Sequence, residues 1–272
     1  MSDTSCGLCL KLGEVSKSHL MPKALYKKVR NGFDGNNIAL FQNHNKVGRY
    51  TDTQITADFL CPSCESLFSR IGENIVIPYC YSGEKSFPML NWMSSATHFE
   101  VHKNELWVNP IKNNFAHLDA FLYFALSIFW RASAWPKSEN SNQGSLGSTY
   151  QEQFRKYLLG EQDFPANTYL TVYVDTDADI QPIMSFPTSI KKKGYHLHSF
   201  HIPGIKFNMC VGKDGPGVKE LSESLGTRLF LVSYSFSKHP DYNNFRHQLI
   251  SKFSHKGKLR DELNAHLTDE KE

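Results

Sequence analysis

The stretches Cys6-Gly7-Leu8-Cys9 and Cys61-Pro62-Ser63-Cys64 decide how this chain is read, with 51 residues lying between Cys9 and Cys61. A Cys-x-x-Cys turn presents two thiolates at the angle a tetrahedral metal accepts, so two such turns can supply all four ligands of a structural zinc ion. Cys6, Cys9, Cys61 and Cys64 are therefore expected to bind one Zn2+ and to organise residues 1–80 into a compact module. Four cysteines that merely pack together are the plainer alternative, and the matched spacing disfavours it. Cys80 and Cys210 have no such partner and read as small buried residues.

Working outward, Pro22 to Arg30 predicts a short helix opened by proline, and Ile38 to Phe41 a short strand. Leu67, Phe68, Ile71 and Ile75 recur at helical spacing, so a helix should leave the second cysteine pair. Residues 80–110 read as extended or irregular, with a hairpin through Phe99, Val101, Leu106 and Val108 that turns at Lys103-Asn104. The segment from about Ala116 to Ala134 is apolar on nearly every face, which places it at the centre of a larger domain. A Ser, Asn and Gly-rich loop follows from Lys137 to Ser148, then an amphipathic helix from Tyr150 to Leu159.

Beyond Pro165 the pattern becomes that of strands: Tyr169–Val174, Ile183–Phe186, Tyr195–Ile202, Lys206–Val211 and Arg228–Ser233, with turns at Gly204 and Asp214-Gly215. Apolar residues from Tyr242 to about His266 are spaced as on a basic helix. The expected class is α+β. A zinc-stabilised amino-terminal module, 1–80, precedes a larger mixed domain, 81–272, with a central helix, a mainly antiparallel sheet and a basic carboxy-terminal helix.

The chain has 272 residues, 40% hydrophobic and 21% charged, which excludes a disordered polyelectrolyte. A net charge of +3 gives weak support for a polyanionic partner, so the distribution of charge matters more than its total. Basic residues gather at Lys17, Lys23, Lys27, Lys28 and Arg30, at Lys191 to Lys193, and from Arg246 to Arg260. A solvated surface is the plain reading of each cluster. No charged-then-apolar stretch opens the sequence, which points to the cytoplasm. The apolar run Leu118–Trp130 is interrupted by Asp119 and too short for a bilayer, so no membrane partner is expected.

Between the cysteine pairs lies Ser18-His19-Leu20-Met21-Pro22. Together with Cys6-Gly7-Leu8-Cys9 and Leu60-Cys61-Pro62-Ser63-Cys64-Glu65, it resembles the HNH endonuclease superfamily, whose ββα-metal core often has two zinc knuckles around its active site. A narrower resemblance adds Leu126 to Ser133, Leu146-Gly147 and Glu152-Gln153-Phe154-Arg155. Over residues 5 to 160 the chain is similar to a group of bacterial proteins labelled HNH-like. Ser18 stands where the superfamily commonly has an acidic residue, and Glu65 where it has Asn.

The resemblance implies that His19 is the general base in hydrolysis of a DNA phosphodiester, a role suited to an imidazole. It implies Glu65 as a second catalytic residue, with Glu73 a further oxygen ligand, for a catalytic Mg2+ or Mn2+. A central residue would come from Asn43, His44 or Asn45. Lys17, Lys23, Lys27 and Lys28 would contact phosphates. The residues taken alone leave plainer roles open: His19 hydrogen-bonded to steady the knuckle, Glu65 favoured by the helix dipole, and Glu73 solvated. The alternative function is a non-catalytic zinc module that binds nucleic acid or a protein partner, including a second copy of the chain. A third makes the larger domain a ligand sensor.

Arg131, ending the central helix, could reach the zinc module or pair with a buried carboxylate, and a structural guanidinium stacked on an aromatic ring is favoured over phosphate binding. The segment from Gly212 to Gly217 lacks Walker spacing and reads as a turn. His196 and His198 share a strand face with no third metal ligand evident, while His201 alternates with them, so a half-exposed strand surface is expected.

Overall fold

A computed structural model describes residues 4–31, 39–42, 47–50, 54–82, 86–102, 105–136, 142–177, 180, 183–213, 215, 217–238 and 254–255. In chain order the elements begin with strands β1 (Thr4–Ser5), β2 (Leu12–Gly13) and β3 (Ser16–His19), then helix α1 (Lys23–Asn31). Strands β4 (Ala39–Gln42), β5 (Val47–Tyr50) and β6 (Thr56–Leu60) lead to α2 (Pro62–Phe68). This helix widens into a π-turn over Ser69–Glu73, resumes as α3 (Asn74–Val76) and tightens at Ile77–Tyr79. Next come α4 (Pro88–Ser95), β7 (His98–His102), β8 (Glu105–Val108), α5 (Leu118–Ala134) and α6 (Gly147–Leu158). The remainder is β9 (Thr168–Asp175), β10 (Met184–Ser185), β11 (Thr188–Lys192), β12 (Tyr195–Ile202), β13 (Ile205–Gly212), α7 (Val218–Leu225), β14 (Leu229–Tyr234) and β15 (Ser254–His255).

The class is α+β, as the sequence predicts. Seven strands form the main sheet in the order β11-β12-β13-β9-β14-β8-β7, antiparallel throughout except where β14 runs parallel to β9. Long β12 and β13 turn tightly at Gly204, whose φ of +75° suits glycine. A smaller sheet is ordered β10-β4-β5-β15.

Helix α5 explains its own composition. From Ala120 to Ser133 every residue is buried, because both sides of the helix are covered. On one side Phe121, Phe124 and Phe129 meet Phe200 and Phe207 of the sheet, with ring centroids 5.0 to 6.1 Å apart. On the other, Trp130 stacks on Phe59 at 5.6 Å and meets Phe68 edge-on at 6.1 Å. Close approach of the π-turn favours Gly72, since a Cβ there would lie a tight 3.2 Å from the Phe124 Cα. One continuous core therefore contains Cys6, Leu8, Phe59 and Phe68 from before position 80 and Phe124, Phe207 and Met209 from after it.

Several expectations need correction. The stretch 80–110 is not irregular throughout: Pro88 opens α4, which buries Met89 and Met93. The strand Thr188–Lys192 and the helix Val218–Leu225 were not anticipated. Ser254–His255 is a strand beside β5, inside the stretch expected as a basic helix, and the rest of that stretch lies outside the described residues. So do Lys103-Asn104, Asp214, Asn43, His44 and Asn45. No helix among the described residues is long and apolar enough to cross a membrane.

Candidate metal centre and the His19 site

The two cysteine turns are built differently and meet. Pairing of β1 with β2 closes the first loop, within which the Leu10 N–H donates to the Cys6 carbonyl at 2.9 Å. The Gly7 N–H donates to the Phe59 carbonyl at 2.8 Å, docking the turn on β6. Glycine is required there, because a Cβ would fall 2.0 Å from the Phe59 ring. In the second turn Pro62 starts α2, the Glu65 N–H donates to the Cys61 carbonyl at 3.1 Å, and the Cys61 N–H points at the Cys6 sulfur at 3.3 Å.

All four sulfurs of Cys6, Cys9, Cys61 and Cys64 lie within 4.8 Å of one another. Tetrahedral zinc with bonds of about 2.3 Å sets its sulfurs roughly 3.8 Å apart; Cys9 and Cys61 are 3.9 Å apart. The donor set and spacing thus fit a metal ion of this kind. Burial raises the Cys64 thiol. At Cys61 burial also opposes ionisation, but hydrogen bonds from the Ser63 hydroxyl and the Cys64 backbone outweigh it and bring the thiol down to about 6. Cys80 and Cys210 are buried singly, as expected.

Strands β3 and β6 pair antiparallel, and β6 runs directly into α2, so His19, Cys61, Cys64 and Glu65 belong to one strand-strand-helix unit. Ser18 is buried, and its hydroxyl accepts the Leu60 N–H at 3.0 Å. It is a structural bridge between the two strands. His19 ends β3, half-buried. Burial lowers its pKa below the usual 6.5, against the opposing effects of a Gln54 hydrogen bond and the Glu65 carboxylate. Glu65 sits in the first turn of α2 with its Oε1 buried and without a hydrogen-bond partner.

Two arginines from later helices hold this region through backbone carbonyls. Arg131 of α5 is 1% exposed; its Nη1 donates to the His19 carbonyl at 2.7 Å and its Nη2 to Glu73 Oε1 at 2.9 Å. The guanidinium also lies 5.0 Å above the Phe68 ring, so the expected stacked structural arginine is present and it reaches both alternatives at once. Glu73 is thereby corrected from a solvated residue to the partner of a buried cation, with its side chain 17% exposed. Arg155 of α6 donates to the Leu8 carbonyl at 2.9 Å while Glu152 clamps it at 2.7 and 2.8 Å. The roles of Ser18, Gln54 and Arg155 were not foreseen. Only the Glu152–Arg155 pair, three apart on a helix, left a local signal.

Lys23, Lys27 and Lys28 line one open cleft of about 870 Å³ with Glu73, Asn74 and Ser82. Lys28 donates to the Ser82 hydroxyl. Lys17 is exposed on β3 and is not part of the cleft lining. Among the described residues, the cysteine set is the one cluster of three or more metal-ligating side chains; His19 and Glu65 have no third partner there. One of the β12 histidines differs from expectation: His198 is 2% exposed rather than half-exposed, while His196 and His201 are half-buried. Comparison with family models, curated proteins and solved structures gives no match.

Proposed function

We propose that the chain is an HNH-like nuclease that hydrolyses DNA phosphodiester bonds, with its strand-strand-helix unit organised by zinc at Cys6, Cys9, Cys61 and Cys64. The observation that carries this reading is the setting of His19: a half-buried imidazole on the same unit as Glu65, with its backbone carbonyl hydrogen-bonded by buried Arg131. Zinc held by four thiolates is coordinatively closed, so it would supply folding free energy rather than activate substrate.

A ring whose pKa lies below 6.5 is neutral at pH 7 and free to accept a proton. In the proposed step a water oxygen bonds to phosphorus, His19 takes the water's proton, and the bond from phosphorus to the leaving deoxyribose oxygen breaks. Solvent protonates that oxygen. Glu65 orients and stabilises the imidazolium, consistent with its unpartnered oxygen and its charge effect on His19. Lys23, Lys27 and Lys28 grip backbone phosphates along their cleft, with Lys17 beyond it. A bound Mg2+ or Mn2+ would take a carboxylate oxygen from Glu65 and a ring nitrogen from His19, with water and phosphate oxygens filling the remaining positions, and would stabilise the charge developing on the phosphate.

That same two-residue set favours the second reading, a zinc module that binds nucleic acid without cutting it. Supercoiled and linear DNA incubated with zinc-loaded protein in Mg2+, Mn2+ or Ni2+ separates the two. Cleavage supports the nuclease; salt-sensitive binding without cleavage by folded protein supports the module.

A further inference from the structure

A second basic concavity lies at the far edge of the main sheet. Lys191 of β11 faces His196 of β12, which faces Val211 of β13, and Lys213 follows that strand. Leu146 and Tyr150, at the amino-terminal end of α6, close the opposite side. The concavity is about half open to solvent and measures about 370 Å³, within the range of small-ligand sites and larger than a bare anion needs. Lys191, Lys192 and Lys213 line it, and no carboxylate does among the described residues. Helix α6 has twelve residues and no acidic side chain in its first turn, so its positive end is uncompensated there.

His198 supplies an independent sign of a ligand. It lines the concavity, is 2% exposed, and packs between His196 at 6.1 Å and Phe129 at 5.7 Å. Its Nε2 has no hydrogen-bond partner, although buried polar atoms are seldom left so. The His196 ring, by contrast, is satisfied, with Nδ1 3.1 Å from the Ser145 carbonyl oxygen. Burial holds His198 neutral, so it can hydrogen-bond a ligand without adding charge.

We propose that this concavity binds a small phosphate-bearing ligand of nucleotide size, its phosphate held by Lys191, Lys192 and Lys213 and its polar edge by His198. Three cations, with no facing carboxylate among the described residues, suit a multiply charged anion better than a single carboxylate. Tyr150 and Tyr195 give flat walls for the rest of the molecule. The ligand would rest against the helix whose other end holds the first cysteine turn through Arg155. This inference is independent of nuclease activity.

The test titrates the full-length, zinc-loaded protein with AMP, ribose 5-phosphate and inorganic phosphate, using calorimetry and the ring proton-carbon NMR signals of His196 and His198. Saturable binding of AMP or ribose 5-phosphate that moves the His198 signal supports the site; AMP alone would assign a contribution to the base. Lys191→Ala with Lys213→Ala, both exposed positions, should weaken binding at least about tenfold. Lys23→Ala with Lys27→Ala should leave it unchanged. The proposal is overturned if neither organic phosphate moves His198, or if binding is lost through the Lys23 and Lys27 pair and not through Lys191 and Lys213.

Discussion

The guanidinium of Arg131 donates to the backbone carbonyl of His19 across 2.7 Å and 112 positions of sequence. The candidate base is therefore positioned by the central helix of the whole fold as well as by its own strand. Arg131 has one face on Phe68 and one nitrogen on Glu73, so it cannot move without leaving buried polar groups unpaired.

Arg131→Met should destabilise the protein by about 3–5 kcal/mol, since it strands a partly buried carboxylate and a carbonyl. Arg131→Lys should recover little of this, because one ammonium cannot reproduce the two-pronged contact. Pairing Arg131→Met with Glu73→Gln should cost less than the two single changes added together. Urea unfolding of the parent and the four variants checks all three statements.

Metal content gives a second expectation. The purified protein should carry one zinc per chain, and cobalt substitution should produce thiolate charge-transfer absorption. Cys6→Ser or Cys64→Ser should lose the metal and the folded amino-terminal region together, whereas Cys80→Ala should keep the metal. Retention of one zinc by both serine variants would refute the four-cysteine assignment.

Gly7→Ala places a methyl group where the Phe59 ring lies, 2.0 Å away, and Phe59 in turn stacks on Trp130. The strain should lower stability by about 1–3 kcal/mol and be read as a lower unfolding temperature. Ala at exposed Gly144, with open space around its Cβ position but a φ of +73°, tests strain of the backbone alone.

Two buried groups should tilt the pH dependence of stability in opposite directions. His198 is held down to about 3 by burial, from a usual 6.5. Between those values the unfolded chain binds a proton that the folded chain does not, so this group's contribution is lost as pH falls. Asp175 is pushed up to about 7 by burial, from 3.8, although N–H groups of Asp177 and Phe236 pull the other way. Its folded form keeps a proton that the unfolded chain has released, so its contribution is lost as pH rises through that window. Asp175→Asn should therefore make stability climb more steeply from pH 4 to 7, and His198→Asn should flatten or reverse the climb, measured by urea midpoints.

Elements with a strong local signature were legible in the sequence. The two Cys-x-x-Cys turns announce that their four sulfurs meet despite the 51 residues between them, because each turn is a complete local device. The continuous apolar run of α5 announces a doubly covered helix. What escaped lacked local pattern. Thr188–Lys192 is a polar edge strand with three exposed residues and no alternation to see, and Pro88–Ser95 is a helix of only eight residues, about two turns, with only Met89 and Met93 fully buried. Glu73 looks like any helix carboxylate until Arg131, 58 positions on, is brought beside it. That pairing depends on how α2 and its π-turn lie along α5, which only tertiary packing decides.

Plasmid cleavage by the parent and by His19→Ala, compared at matched zinc content and matched fold, decides whether His19 is the base of a nuclease. Nicking by the parent is expected in at least one of Mg2+, Mn2+ and Ni2+, with a loss of about 100-fold or more in His19→Ala and DNA binding retained. Equal cleavage by His19→Ala, or no cleavage by folded zinc-loaded parent in all three metals, would contradict that role.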